Sequence, residues 1–289
     1  MKLQLWGLVP VAFTQPFGEC WGPPLPTRFL FLLSHPNRLS FHCRLVDDGK
    51  VAASDICVFE MTERVGGRLM SLRGLGPEDD LVVDAGGYRT WPEFTPTAHA
   101  LITEYLGIPM GCYDDSDPCQ VYNIVGDDGK KAGFTKFVEE MMQRLSDAGA
   151  CFFPYHELKS LEKVDMPDSD MQATKLYFGN GVVATATMGT VLNVPQRPLL
   201  KIIRESNMDA AGLLDAERLD ALHSVQTVIA TKLYLYYPRG HVFWHKLGLF
   251  SGDFESDGDA RSMLLAGRYH GKSEATHFSS CSTLLASAH

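Results

Sequence analysis

Several things are missing from this sequence, and each absence excludes a class of protein. No apolar run approaches the ~20 residues that cross a bilayer as a helix, so no membrane span is expected. No two cysteines stand at C-x-x-C spacing; the seven (Cys20, Cys43, Cys57, Cys112, Cys119, Cys151 and Cys281) are scattered and odd in number. That disfavours a zinc site or a disulfide framework, and pairing of Cys112 with Cys119 across a loop is the less favoured arrangement. Positive charge is short as well, with 26 Lys and Arg against 35 Asp and Glu and a net charge of -9. Nucleic acid needs basic patches and is not an expected partner. H-E-x-x-H, G-x-S-x-G and P-loop motifs are absent. His241 and His245 lack the acid that would complete a metal motif. Asp114-Asp115-Ser116-Asp117 lacks the glycine and distal glutamate of a calcium loop, so no metal site is expected.

What is present is more specific. Val58-Phe59-Glu60-Met61-Thr62-Glu63-Arg64-Val65-Gly66-Gly67-Arg68 is followed by Val82-Val83-Asp84-Ala85-Gly86-Gly87. An apolar strand, Ile56 to Phe59, ends on an acid, and two Gly-Gly turns come after it. In a Rossmann-type half, the acid closing the second strand accepts hydrogen bonds from the adenosine ribose hydroxyls. Paired glycines let backbone approach a bulky ligand. An arginine beside them neutralises phosphate. The alternative reading is a strand, a turn and a surface ion pair.

This segment resembles the flavin-containing amine oxidase family, which includes monoamine, polyamine and L-amino acid oxidases. The family's E-x-x-x-x-x-G-G-R pattern is matched by Glu60 to Arg68, and the similarity runs from about Leu45 to about Lys272. The resemblance implies FAD as cofactor. It assigns Glu60 to the ribose, Gly66, Gly67 and Arg68 to the pyrophosphate region, and Gly86 and Gly87 to backbone beside the flavin. It also implies that Arg89 binds a substrate carboxylate, as in the amino acid oxidase branch, while Tyr88 suits the aromatic wall of the amine branch. A guanidinium fork matches a carboxylate in a bidentate way; an ordinary surface ion pair is the alternative. Lys232, in Thr231-Lys232-Leu233-Tyr234 upstream of Phe243-Trp244, stands where the family has a lysine that holds a water near the flavin. An edge-strand lysine facing solvent is the alternative there.

Two parts of the family pattern are not found. The dinucleotide fingerprint requires G-x-G-x-x-G between a strand and a helix before Glu60, and no such glycines occur there. Residues 1–43 read as Pro-rich and irregular, with Gly22-Pro23-Pro24-Leu25-Pro26 and His35-Pro36-Asn37 as breakers. The serine-rich residues 273–289 are also expected to be irregular. Between these ends, 44–95 reads as a partial FAD-binding region and 96–272 as mixed substrate-binding and FAD-domain segments.

Helical spacing predicts helices over Pro96–Leu106, Phe134–Ala148, Leu199–Arg204 and Leu213–Leu222, with the end of another at Cys43–Val51. Strands are predicted at Cys151–Phe153, Lys159–Val164, Lys175–Phe178 and Thr227–Tyr237. Gly179-Asn180-Gly181 predicts a hairpin into Val182–Thr187. The expected fold class is α/β: a partial FAD-binding Rossmann-like domain with an α+β substrate-binding domain.

The expected function is FAD-dependent oxidation of a primary amine or L-amino acid to an imine, with hydrogen peroxide as the second product. An acidic surface suits steering of a cationic amine. The alternative is a truncated relative without FAD binding or catalysis, acting as an interaction module or as a non-functional product. A third reading is a desaturase or porphyrinogen oxidase of the wider flavin superfamily. The first thirteen residues form a weak signal-like segment, but Pro10 and the lack of a small-x-small site favour the cytoplasm over secretion. The sequence leaves the oligomeric state open.

Overall fold

The computed structural model describes residues 27–32, 36–75, 81–113, 118–166, 171–206, 214–225, 229–237, 251–252, 267–268 and 277–285. The chain divides into two compact units, one of residues 1–75 and 80–223, the other of 76–79 and 224–289.

The first unit begins with β1 (Thr27–Leu32), α1 (Pro36–Asp47) and β2 (Ile56–Phe59). A hairpin of β3 (Ser71–Leu75) and β4 (Leu81–Asp84) follows. Next come α2 (Pro96–Ala100), which continues into a π turn over Leu101–Tyr105, and the antiparallel pair β5 (Met110–Cys112) and β6 (Tyr122–Ile124). Then come α3 (Lys136–Asp147), β7 (Cys151–Phe153), β8 (Leu158–Asp165), β9 (Gln172–Phe178) and β10 (Val183–Leu192). α4 (Gln196–Glu205) and α5 (Ala216–Ser224) follow.

Six of these strands form one sheet in the order β7-β2-β1-β10-β9-β8. β7, β2, β1 and β10 run parallel, and β9 pairs antiparallel with both β10 and β8. The strand turn at Asn180 is the expected hairpin: Gly181 has φ +85°, and Asn180 Oδ1 accepts from Val182 N at 3.1 Å. All four residues of β2 are buried, as a central parallel strand requires. Its alternate residues serve two cores, because successive strand side chains point to opposite faces. Ile56 and Val58 join a cluster with Phe137, Val138, Met141, Met142 and Leu145 of α3. Cys57 and Phe59 join Leu161, Leu176, Phe178 and Ile202. The apolar stripe read in α3 is thus core, methionines included.

The second unit pairs β11 (Ile229–Tyr237) with β14 (His277–Leu285) and β12 (Ser251–Gly252) with β13 (Gly267–Arg268), both antiparallel.

The architecture is therefore mixed α/β, as expected at that level. Three expectations require correction. Residues 27–32 and 36–43 are regular rather than irregular. Thr27–Leu32 does not alternate because it is a central strand paired on both sides. Pro36 does not break a helix but starts one, at the position where its missing N–H costs nothing. The C-terminal segment likewise carries a nine-residue strand, β14, held by backbone pairing that serine permits but does not signal. Finally, Cys112 and Cys119 are disulfide-bonded, with Cα atoms 5.7 Å apart. Chain reversal between β5 and β6 brings them together, which linear spacing does not reveal.

Candidate functional site

The C-terminal ends of the parallel strands share one edge of the sheet. The register sets Leu32 beside Phe59 and beside Leu192, and Phe59 beside Phe153. Glu60 leaves β2 at this edge and pairs with the chain leaving β7: Glu60 N donates to Phe153 O at 3.0 Å, and His156 N donates to Glu60 O at 2.8 Å.

Glu60 is 6 % exposed. Its Oε1 accepts from Thr62 N at 3.0 Å and Thr62 Oγ1 at 3.2 Å. Its Oε2 is buried and accepts no hydrogen bond from any described residue. An orphaned buried carboxylate oxygen is costly and calls for a donor. Burial pushes the Glu60 carboxyl above the usual carboxylate range, against the Thr62 hydrogen bonds and the Arg64 charge.

The turn after Glu60 is built by Arg64, which the motif reading did not single out. Its guanidinium donates to Leu69 O at 2.9 Å and Gly67 O at 2.7 Å, closing the loop on itself. Gly66 and Gly67 both take positive φ, +108° and +53°, so this turn needs glycine for its backbone. Arg68 is exposed.

The second Gly-Gly turn packs against the first. Gly87 N donates to Arg68 O at 3.2 Å and Ala85 N to Met70 O at 2.7 Å, so the two turns are laced together. Gly86 and Gly87 lie against the Arg68–Met70 segment, and a Cβ on Gly87 would come within 2.6 Å of Leu69 Cδ2. Close approach between two stretches of this chain explains the glycines.

Asp84, the acid of the D-x-G-G pattern, is a structural node. Its Oδ1 accepts from Ser71 Oγ at 2.5 Å and Phe134 N at 2.8 Å, and Lys131 Nζ lies 2.9 Å from Oδ2. The carboxylate thereby ties the β3–β4 hairpin to the start of α3. Arg73 reinforces the tie with a bidentate pair to Glu139, both bonds 3.0 Å.

Arg89 sits among aromatic rings. Its guanidinium carbon is 4.2 Å from the Trp91 ring centre, 4.7 Å from Tyr88 and 5.7 Å from Tyr113. Among the described residues no carboxylate pairs with it, and its Nε is buried without a hydrogen-bond partner. The rings offer cation–π attraction in place of a counter-ion. The two alternatives read from the sequence, Arg89 for a carboxylate and Tyr88 for an aromatic wall, thus lie in contact, with Trp91 and Tyr113 beside them.

Lys232 lies in β11 of the other unit, where the backbone alone is described, opposite Ser282. Asp114 to Asp117, His241, His245, Phe243 and Trp244 lie outside the described residues. Among the described residues no group of His, Cys, Asp and Glu could hold a metal, and no helix is long and apolar enough to cross a membrane.

Unit one thus presents a mixed sheet with a buried acid at the C-terminal ends of its parallel strands. No protein-family model matches the sequence, and no curated protein matches it. Solved structures do. PF1083 protein from Pyrococcus furiosus is similar in structure with TM-score 0.54 at 12% identity, over 90% of this chain and 80% of that one. At that identity the likeness concerns fold alone. The Diels-Alderase PyrE3 of pyrroindomycin biosynthesis aligns with TM-score 0.47 at 11% identity, over 89% of this chain. The chain spans about half of that enzyme's length, 47%.

Proposed function

We propose that the first unit binds a dinucleotide, FAD, across the C-terminal edge of its parallel strands, and that the protein oxidises a primary amine or L-amino acid. The observation that carries this reading is the unsatisfied, buried Oε2 of Glu60 at the end of the second strand of a β-α-β unit. The hydroxyls of a ribose would supply the missing donor. The strand order supports the same place, because β2 and β10 lie on opposite sides of β1. That reversal is where open parallel sheets bind ligands.

The roles of the chain's residues follow. Glu60 would hold the ribose through Oε2, with Thr62 fixing the carboxylate by its other oxygen. The α1 N-terminus, which begins four residues after the last residue of β1, would face phosphate. Exposed Arg68 is available to the same anion. Arg89 would orient a substrate carboxylate, with Tyr88 and Trp91 flanking it. Bound FAD would supply the redox chemistry, taking a hydride equivalent from the C–N carbon and passing electrons to oxygen.

A second reading is favoured by one observation. The β1–α1 connection is Leu33-Ser34-His35 and contains no glycine, whereas a pyrophosphate cradle relies on close backbone approach. On this reading the fold is retained without cofactor or catalysis.

The deciding experiment is the visible spectrum of the purified chain after incubation with FAD and gel filtration. Retained flavin bands, their loss in Glu60→Ala, and peroxide release with an amine or amino acid panel are expected. Arg89→Met should then raise KM for amino acids far more than for amines. A colourless wild-type protein would leave the second reading standing.

A further inference from the structure

Tyr155 stands apart from every other described residue in its backbone. It is the sole non-glycine residue among them with positive φ, +61°. A side chain in this region is strained, and it persists where the surroundings hold it. The surroundings here do so from several directions. Tyr155 N donates to Thr62 O at 3.4 Å, and its hydroxyl donates to Glu63 Oε2 at 2.8 Å. Asn180 Nδ2 donates to Tyr155 O at 3.4 Å. The next residue, His156, is seated edge-on among Phe59, Phe153 and Phe178, with ring centres 5.4, 5.8 and 5.4 Å away.

All this scaffolding holds a ring in solvent: Tyr155 is 62% exposed. Apolar burial is therefore not what the strained conformation achieves. Its place does suggest a purpose. Tyr155 follows β7, the strand beside β2, and its amide and hydroxyl both anchor to the Thr62–Glu63 loop that positions the Glu60 carboxylate. The strand order is β7-β2-β1, so a nucleotide with its phosphate at the α1 N-terminus and its ribose at Glu60 would carry its base one strand further on, at the end of β7.

Resting on the nucleotide reading above, we propose that Tyr155 is the platform on which the adenine ring of the bound nucleotide stacks. The Glu63 hydrogen bond fixes the plane of the ring, and the left-handed backbone turns it outward. Preorganisation of this kind removes the entropy cost of ordering an exposed side chain on binding. Stacking also requires no hydrogen bond to the base edge, so ADP and FAD should share the site.

Calorimetric titration of the full chain with ADP tests this, using wild type, Tyr155→Gly, Tyr155→Phe and Glu60→Gln. Glycine adopts positive φ freely, so Tyr155→Gly should fold at least as well as wild type, which urea denaturation checks. Its Kd for ADP should rise about tenfold or more, and Tyr155→Phe should restore most of the affinity. Binding of FMN, which has no adenine, should not distinguish wild type, Tyr155→Gly and Tyr155→Phe. If Tyr155→Gly binds ADP within about twofold of wild type while Glu60→Gln is impaired, the platform is refuted and the nucleotide site survives. If folded wild type takes up neither ADP nor FAD, the nucleotide site itself is refuted, and the platform with it.

Discussion

A Cβ built on Gly86 would stand 1.8 Å from the carbonyl oxygen of Arg68. The obstacle is backbone, and that backbone also accepts Gly87 N and supplies Met70 O to Ala85 N. It cannot yield without breaking the lacing between the two Gly-Gly turns. Gly86→Ala should therefore cost about 3 kcal/mol or more in urea denaturation. A loss below ~1 kcal/mol would mean that the turns are not packed this way.

The Ser71–Asp84–Phe134 network is a second point of failure. Asp84 is 1% exposed and takes two hydrogen bonds and the Lys131 charge. Asp84→Ala strands a buried hydroxyl, an amide and a cation together. A loss of about 3–5 kcal/mol is expected, as for breaking a buried pair from one side. Lys131→Met, which removes a partly exposed partner, should cost less. Equal losses would contradict this assignment of roles.

Glu60 should make the free protein's stability fall with pH in the carboxylate range. An acid whose folded-state pKa is raised holds its proton more tightly when folded. Its contribution is most favourable below the ordinary carboxylate pKa and is lost as pH rises through that value toward the raised one. Glu60→Gln, which cannot ionise, should remove this part of the fall while weakening nucleotide binding. Denaturation midpoints over a pH series check the first effect and ADP calorimetry the second. A mutant that follows the wild-type pH profile would show that Oε2 is not desolvated in the free protein.

Cys43 and Cys57 should be inert. Burial pushes both thiols up to about 11, and the Cys43 thiol donates to Met141 O at 3.6 Å. Native alkylation at neutral pH should leave both unlabelled and denaturation should expose both, as read by peptide mass spectrometry. Labelling of either in the folded state would place it at the surface.

Much of the fold was legible because periodicity reports burial. The spacing of Phe137, Val138, Met141, Met142 and Leu145 announced α3, and Gly179-Asn180-Gly181 announced the β9–β10 hairpin. Residues 27–32 were missed because a strand paired on both sides does not alternate, and β14 because serine-rich backbone pairs without an apolar signal. In the site, Glu60 and the first Gly-Gly turn were visible as an acid and a turn in order. Arg64 and Tyr155 were not, since one acts through backbone carbonyls and the other through a dihedral angle.

By itself, then, the sequence determined which residues could serve: an acid after a buried strand, glycines where φ is positive, and an arginine among aromatics. Tertiary structure alone decided how they are used. It set Glu60 beside the chain leaving β7, some ninety residues later, assigned Asp84 to the support of α3, and joined Cys112 to Cys119. These are long-range contacts, and their free energy depends on burial and geometry that no local run of residues encodes.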